Sequence, residues 1–164
     1  MESEITLTNF TRILDEYRER FKYIVKRNLA ENDNIASGDL FASINTHIEI
    51  NGNVYKVILD SREYLKYLES GTRPHWPPVK AMLQWVRNKR LPTRENNPGD
   101  KSLPTEKQLA YLVGRKISQV GTKARNNIYN TQQELNDAYI PKLEEALVQD
   151  VLAVIPLIRV EIRS

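Results

Sequence analysis

Few side chains in this 164-residue chain are of types that do chemistry. His47 and His75 are its two histidines, the groups whose ordinary titration lies nearest neutral pH. The chain has no cysteine, which removes thiolate catalysis, a thiolate metal site and a disulfide framework together. A serine nucleophile would need one of the two histidines as its base, and no Gly-x-Ser-x-Gly stands at a strand-to-helix turn. The six glycines are scattered and form no phosphate-cradling Gly-x-x-x-x-Gly-Lys loop. Asp60, Glu63 and Glu69 offer carboxylates for magnesium in principle. Arg62 and Arg73 stand close by in sequence, and solvated or paired acids are the reading we favour. His75, held between Pro74 and Trp76, reads as a loop residue that hydrogen-bonds backbone and packs on the tryptophan. His47 reads as an exposed strand residue with no second ligand at metal spacing. The expectation is therefore no catalysis, no metal and no cofactor.

The stretch that must position these residues is Tyr64 to Trp85. It holds Gly71, the prolines Pro74, Pro77 and Pro78, and both tryptophans, Trp76 and Trp85. Each proline fixes its own φ and pushes the residue before it away from helix, so the segment reads as a rigid hinge following an extended run. Pro78 is suited to the first turn of a helix. Val79, Met82, Leu83 and Val86 then keep the spacing of one helical face, widened by Trp85. Trp76 and Trp85 read as core aromatics, with Trp76 or Arg73 at a subunit boundary as the alternative.

The order Tyr64-x-x-Tyr67-x-Glu69-x-Gly71-Thr72-Arg73-Pro74-His75-Trp76-Pro77-Pro78, with a later Lys116-Ile117-x-x-x-Gly121-Thr122, resembles the head-to-tail connector family of tailed bacteriophages. Members are called neck, tail-completion or minor tail components. The likeness runs roughly from Gly38 to Tyr129. It implies a virion part without catalysis, an α+β domain that assembles into rings. It further implies a closed ring of sixfold or twelvefold symmetry around the DNA channel, between portal or other neck proteins and tail proteins. Non-specific contact with channel DNA and a place in the neck or tail of the virion, after synthesis in the host cytoplasm, follow from the same resemblance.

The length fits one domain over residues 1–164. The net charge of +3 and the 27% of charged residues are what helical surfaces alone explain. No apolar run is long enough for a membrane span, and the first ten residues lack signal-peptide character. Residues 6–29 form one amphipathic stripe containing Phe10, Tyr17 and Phe21, with Thr6 or Thr8 as cap. The stripe is expected to face its own core, with contact to a neighbouring subunit as the alternative. Residues 30–37 read as a connection and Gly38–Ile44 as a helical turn or the entry to a strand. A hairpin follows, with Asn51-Gly52 as a type I′ turn leading straight into the hinge. The proline-rich stretch 91–104, with Arg94 and Lys101, reads as an extended arm toward a neighbour or a loop without a partner.

Thr105-Glu106-Lys107-Gln108 matches a capping box, and Gly121 stands where a left-handed cap is expected. Between them Leu109, Leu112, Val113, Ile117 and Val120 form the expected buried face, with Lys116 near its middle. Lys116, Lys123 and Arg125 join the candidate interface. Thr131-Gln132-Gln133-Glu134 is a second capping box, opening a helix that Pro141 kinks or divides. Leu157–Ile162 alternates like a third strand, giving an α+β fold with about three antiparallel strands, helices on one side, and long terminal helices. The alternative function is a small basic nucleic-acid-binding or regulatory module using Lys22, Lys26, Arg27, Lys89, Arg90, Arg115, Lys116, Lys123 and Arg125.

Overall fold

The first amphipathic stripe becomes α1 (Thr8–Glu31) in a computed structural model of the protein, which describes residues 7–31 and 38–154. Then come α2 (Asp39–Ser43), β1 (Asn45–Asn51), β2 (Val54–Asp60), α3 (Tyr64–Ser70), α4 (Val79–Asn88), α5 (Glu106–Val120) and α6 (Asn127–Val154). The fold is α+β with long first and last helices, and its sheet among the described residues is one antiparallel pair. The strand expected at Leu157–Ile162 lies outside the described residues. No helix among the described residues is long and apolar enough to cross a membrane. The chain gathers into two compact units, Met1–Val25 with Asn45–Leu59 and Ile128–Ser164, and Lys26–Ile44 with Asp60–Asn127.

In the first unit, two strands alone would be marginal, and α1 supports them. Thr46 and Ile48 of β1 turn away from solvent while Ile50, nearer the turn, stays exposed. Arg18 of α1 donates to the Thr46 carbonyl at 3.1 Å, and the Phe10 ring meets Tyr55 of β2 edge-on at 5.1 Å. The hairpin turn differs from expectation. Its central residues are Gly52 and Asn53, and of these only Gly52 has positive φ, at 58°. That pattern is a type II′ turn, in which glycine takes the first central position.

The beginning of α1 is finished by its distant partner α6. Asp150 is buried, and its carboxylate accepts from the Asn9 and Phe10 amides at 3.0 and 2.9 Å and from the Asn9 side chain at 2.8 Å. These are amides that a helix leaves without internal partners, and a negative group there also answers the helix dipole. Thr8, expected as a cap, is instead the first helical residue, and Thr6 lies outside the described residues. The last helix likewise opens earlier than expected, at Asn127, so Thr131 is a fully buried residue inside the helix and not its first cap. The helix also continues through Pro141 as one element; Pro141 is exposed, so water can meet the carbonyl that lacks its amide partner.

In the second unit, α4 packs on α5, and Val86 and Ala110 are buried. The buried side of α5 is Ala110 and Gly114, not the larger stripe, and Leu112 and Val120 are 52% and 60% exposed. The reason is steric: Pro77 and Trp76 lie over Gly114, within 4 Å of where its Cβ would stand, and only small residues let the hinge approach so closely. Lys116 is therefore exposed and needs no special partner. Pro77 is buried, whereas Val79 and Trp76 are not, Trp76 being 49% exposed and tilted against Tyr111 at 5.6 Å. Neither tryptophan is a core residue, since the half-buried Trp85 lines a groove.

Candidate functional site

The hinge is built from two glycine turns that close on each other. The residues Tyr64–Ser70, read from sequence as part of the rigid hinge, form α3. This helix ends at Gly71, where φ is 68° and ψ −174°, and α5 ends at Gly121 in almost the same conformation, φ 70° and ψ −161°. Such angles are open to glycine and strained for other residues. Gly121 is thus the expected helix end, in an extended positive-φ form in place of the left-handed one. The threonines that follow pair as an isolated antiparallel bridge. The Thr72 amide donates to the Thr122 carbonyl at 3.1 Å and the Thr122 amide to the Thr72 carbonyl at 3.2 Å, with the two hydroxyls 3.0 Å apart.

The closure is reciprocal down to the missing side chains. A Cβ on Gly71 would run into the Thr122 carbonyl oxygen, and one on Gly121 into the Thr72 carbonyl oxygen. The connector after Thr122 also finishes α3, because the Arg125 and Asn126 amides donate to the Leu68 and Glu69 carbonyls at 3.0 and 3.3 Å. Those are carbonyls left open at the end of a helix. Two motifs 50 positions apart therefore form one clasp.

Beside the clasp lies a groove of about 750 Å³. Tyr64, Tyr67 and Leu68 come from α3, and Met82, Trp85 and Lys89 from α4. The facing side of α5 adds Val113 and Ile117, and the hinge adds Pro74, His75 and Pro77. Arg73, Lys123 and Arg125 stand exposed along it, and no carboxylate is among its lining residues. The two tyrosines are half exposed. Burial on the groove side raises the Tyr64 phenol above its ordinary value of 10.0, so at neutral pH it keeps its proton and can donate. The Nδ1 atom of His75 lies 2.9 Å from the Arg73 carbonyl. A carbonyl only accepts, so Nδ1 is the donor in this contact, the backbone hydrogen bond expected of His75.

The remaining candidates fall elsewhere. Phe21 is buried, and Tyr17 stacks on it at 6.1 Å, meets Tyr139 edge-on at 5.6 Å and bonds Asn136 through its hydroxyl at 3.2 Å. With Phe10 against Tyr55, this aromatic stripe packs within the first unit, Phe21 buried and Phe10 and Tyr17 partly exposed. The 91–104 stretch is not an extended arm. The Arg94 amide donates to the Pro104 carbonyl at 3.1 Å and its Nε to the Leu103 carbonyl at 2.6 Å, pinning the two ends together. Thr93 is fully buried at the base, and Glu95 accepts from the Glu106 amide at 3.1 Å. Lys101 is an exposed residue of this closed loop. Thr105 and Gln108 complete the capping box that opens α5.

In chemical terms the groove joins apolar and aromatic side chains to exposed cations. Among the described residues no group of three or more histidine, aspartate or glutamate side chains is arranged to hold a metal ion, and Asp60, Glu63 and Glu69 form no such group. A feature missed from sequence is Gly114, whose position in the middle of a helical pattern was the signal that another segment comes close there. No protein-family model matches the chain, and neither a curated protein nor a solved structure matches it.

Proposed function

We propose that the chain is a structural subunit of a tailed-bacteriophage neck, a ring-forming tail-completion component that joins portal to tail and makes or breaks no covalent bond. The observation that carries this reading is the clasp. Gly71-Thr72 and Gly121-Thr122 are the two parts of the motif on which the resemblance to that family rests, and they meet each other directly. A motif whose glycines lock two helix ends is a device for holding geometry, which a ring subunit needs and a catalyst built on His75 would not explain. In this reading the partners are further copies in a closed ring of sixfold or twelvefold symmetry, the portal or other neck proteins, and tail proteins. The protein works in the virion after synthesis in the host cytoplasm. The test is to find it. Immunogold labelling of intact particles should place the chain at the head-to-tail junction, and phage lacking it should accumulate filled heads beside unattached tails. Intact particles free of the chain overturn the proposal.

A second reading is favoured by the cations along the groove and the absence of acids among its lining residues. Here the chain is a small nucleic-acid-binding or regulatory module. Tight DNA binding by a lasting monomer, lost steeply with added salt, would establish that reading over the first.

A further inference from the structure

The groove beside the clasp and the last helix carry opposite chemistries. Exposed Arg73, Lys123 and Arg125 stand over a floor formed by Leu68, Met82, Val113 and Ile117, with no acid among the lining residues. On α6, by contrast, the exposed large side chains include Ile140, Leu147, Val148, Val151 and Leu152. Placed 100° apart, these share one side of the helix with Asp137, Glu144 and Glu145, all exposed, while Lys142 points away from it. That side is therefore apolar and acidic. Its run from Ile140 to Leu152 is about 18 Å long at the rise of an α-helix.

We infer that the groove of one copy receives this outward side of α6 from a second copy. The inference rests on the reading of the chain as a self-assembling subunit and supplies the contact by which it assembles. An aliphatic floor with a cationic border suits an amphipathic helix that sets apolar anchors into a groove and acids against its edge. Single-stranded nucleic acid would use the rings that also line the groove, Tyr64, Tyr67, His75 and Trp85, but would leave the apolar and acidic side of α6 without a counterpart. The two surfaces differ, so the contact is heterologous. Each copy gives one and takes one, which builds a ring where the rotation closes. Matching charges also set the order of partners, since two grooves repel and two helix faces repel.

The absence of cysteine allows a clean test on the full-length protein. A Lys123→Cys chain is mixed with a Val148→Cys chain and treated with a short bis-maleimide. The mixture is expected to give a cross-linked heterodimer in much higher yield than either chain alone. In parallel, sedimentation is used to measure self-association of two charge-reversed variants, Lys123→Glu with Arg125→Glu, and Glu144→Lys with Glu145→Lys. Each pair is expected to weaken association at least about tenfold. One chain carrying all four changes should recover it. These side chains are exposed, and unchanged circular dichroism establishes that the variants fold. Assembly that ignores both reversals, or the absence of the cross-link, overturns the inference. So does a groove-reversed variant that assembles normally and loses only DNA retention, which assigns the groove to nucleic acid. A wild-type chain that stays monomeric at every concentration also overturns it. Immunogold labelling of particles judges the neck reading separately, because presence at the junction does not depend on which surfaces meet.

Discussion

Replacing Gly121 by alanine sets a methyl group on the Thr72 carbonyl oxygen and asks a side chain to accept a φ of 70°. Backbone, not a flexible tip, is what it meets, so relief requires the two threonines to separate. We expect Gly121→Ala, and equally Gly71→Ala, to cost on the order of 3 kcal/mol, combining left-handed strain with overpacking. Urea unfolding of the variants measures it, and a loss below about 1 kcal/mol would mean that the clasp does not form. Gly114 is the opposite case among the glycines of the second unit. Its nearest neighbours stand 3.7 to 3.9 Å from the place a methyl would take, an ordinary contact, and it lies inside a helix. Gly114→Ala should therefore stabilise by about 0.5 to 1 kcal/mol through helix propensity alone. A destabilised Gly114→Ala would show that Pro77 sits closer than the structure has it.

The union of α1 with α6 makes a pH prediction at the level of elements. Burial pushes the Asp150 carboxyl upward, but the hydrogen bonds from the Phe10 and Asn9 amides and the Asn9 side chain prevail and hold it below its ordinary value of 3.8. A lowered folded value means that Asp150 contributes its full stability above pH 3.8 and loses it as the pH falls through the lower folded value. Thermal melts of Asp150→Asn against the parent should thus differ at neutral pH and converge in strong acid; a difference that persists unchanged at pH 2 would refute the assignment. Nothing local announces this pairing. The Asn51-Gly52 hairpin, the Thr105 capping box and the helix end at Gly121 were legible because their signals lie within a few neighbouring residues. Helix α3 was partly legible in the three-residue spacing of Tyr64 to Tyr67 and Leu65 to Leu68, which the prolines after it overshadowed. The cap on α1, the burial of Thr131 and the meeting of Gly71-Thr72 with Gly121-Thr122 depend on segments brought together by the fold, and no window of sequence contains both partners.

For the whole molecule, the small number of groove cations sets a limit on the salt dependence of any nucleic-acid binding there. Four basic side chains line the groove, Arg73, Lys89, Lys123 and Arg125, so for DNA bound through the groove the logarithm of affinity should fall against that of salt with a slope no steeper than about −4. Exchanging Arg73, Lys123 and Arg125 for glutamine should flatten the slope by about three if they meet phosphate. A fluorescence-anisotropy titration decides it, and an unaltered slope removes the groove from any DNA contact. The order in which the chain is made adds a further consequence. The opening turn of α1 is completed by a carboxylate 141 positions downstream, so a nascent polypeptide carries α1 unsealed until Asp150 has been added. Contacts of such long range are slow to form. A product terminated just before Asp150 would consequently lose order at the opening turn of α1, far from the place where residues are missing.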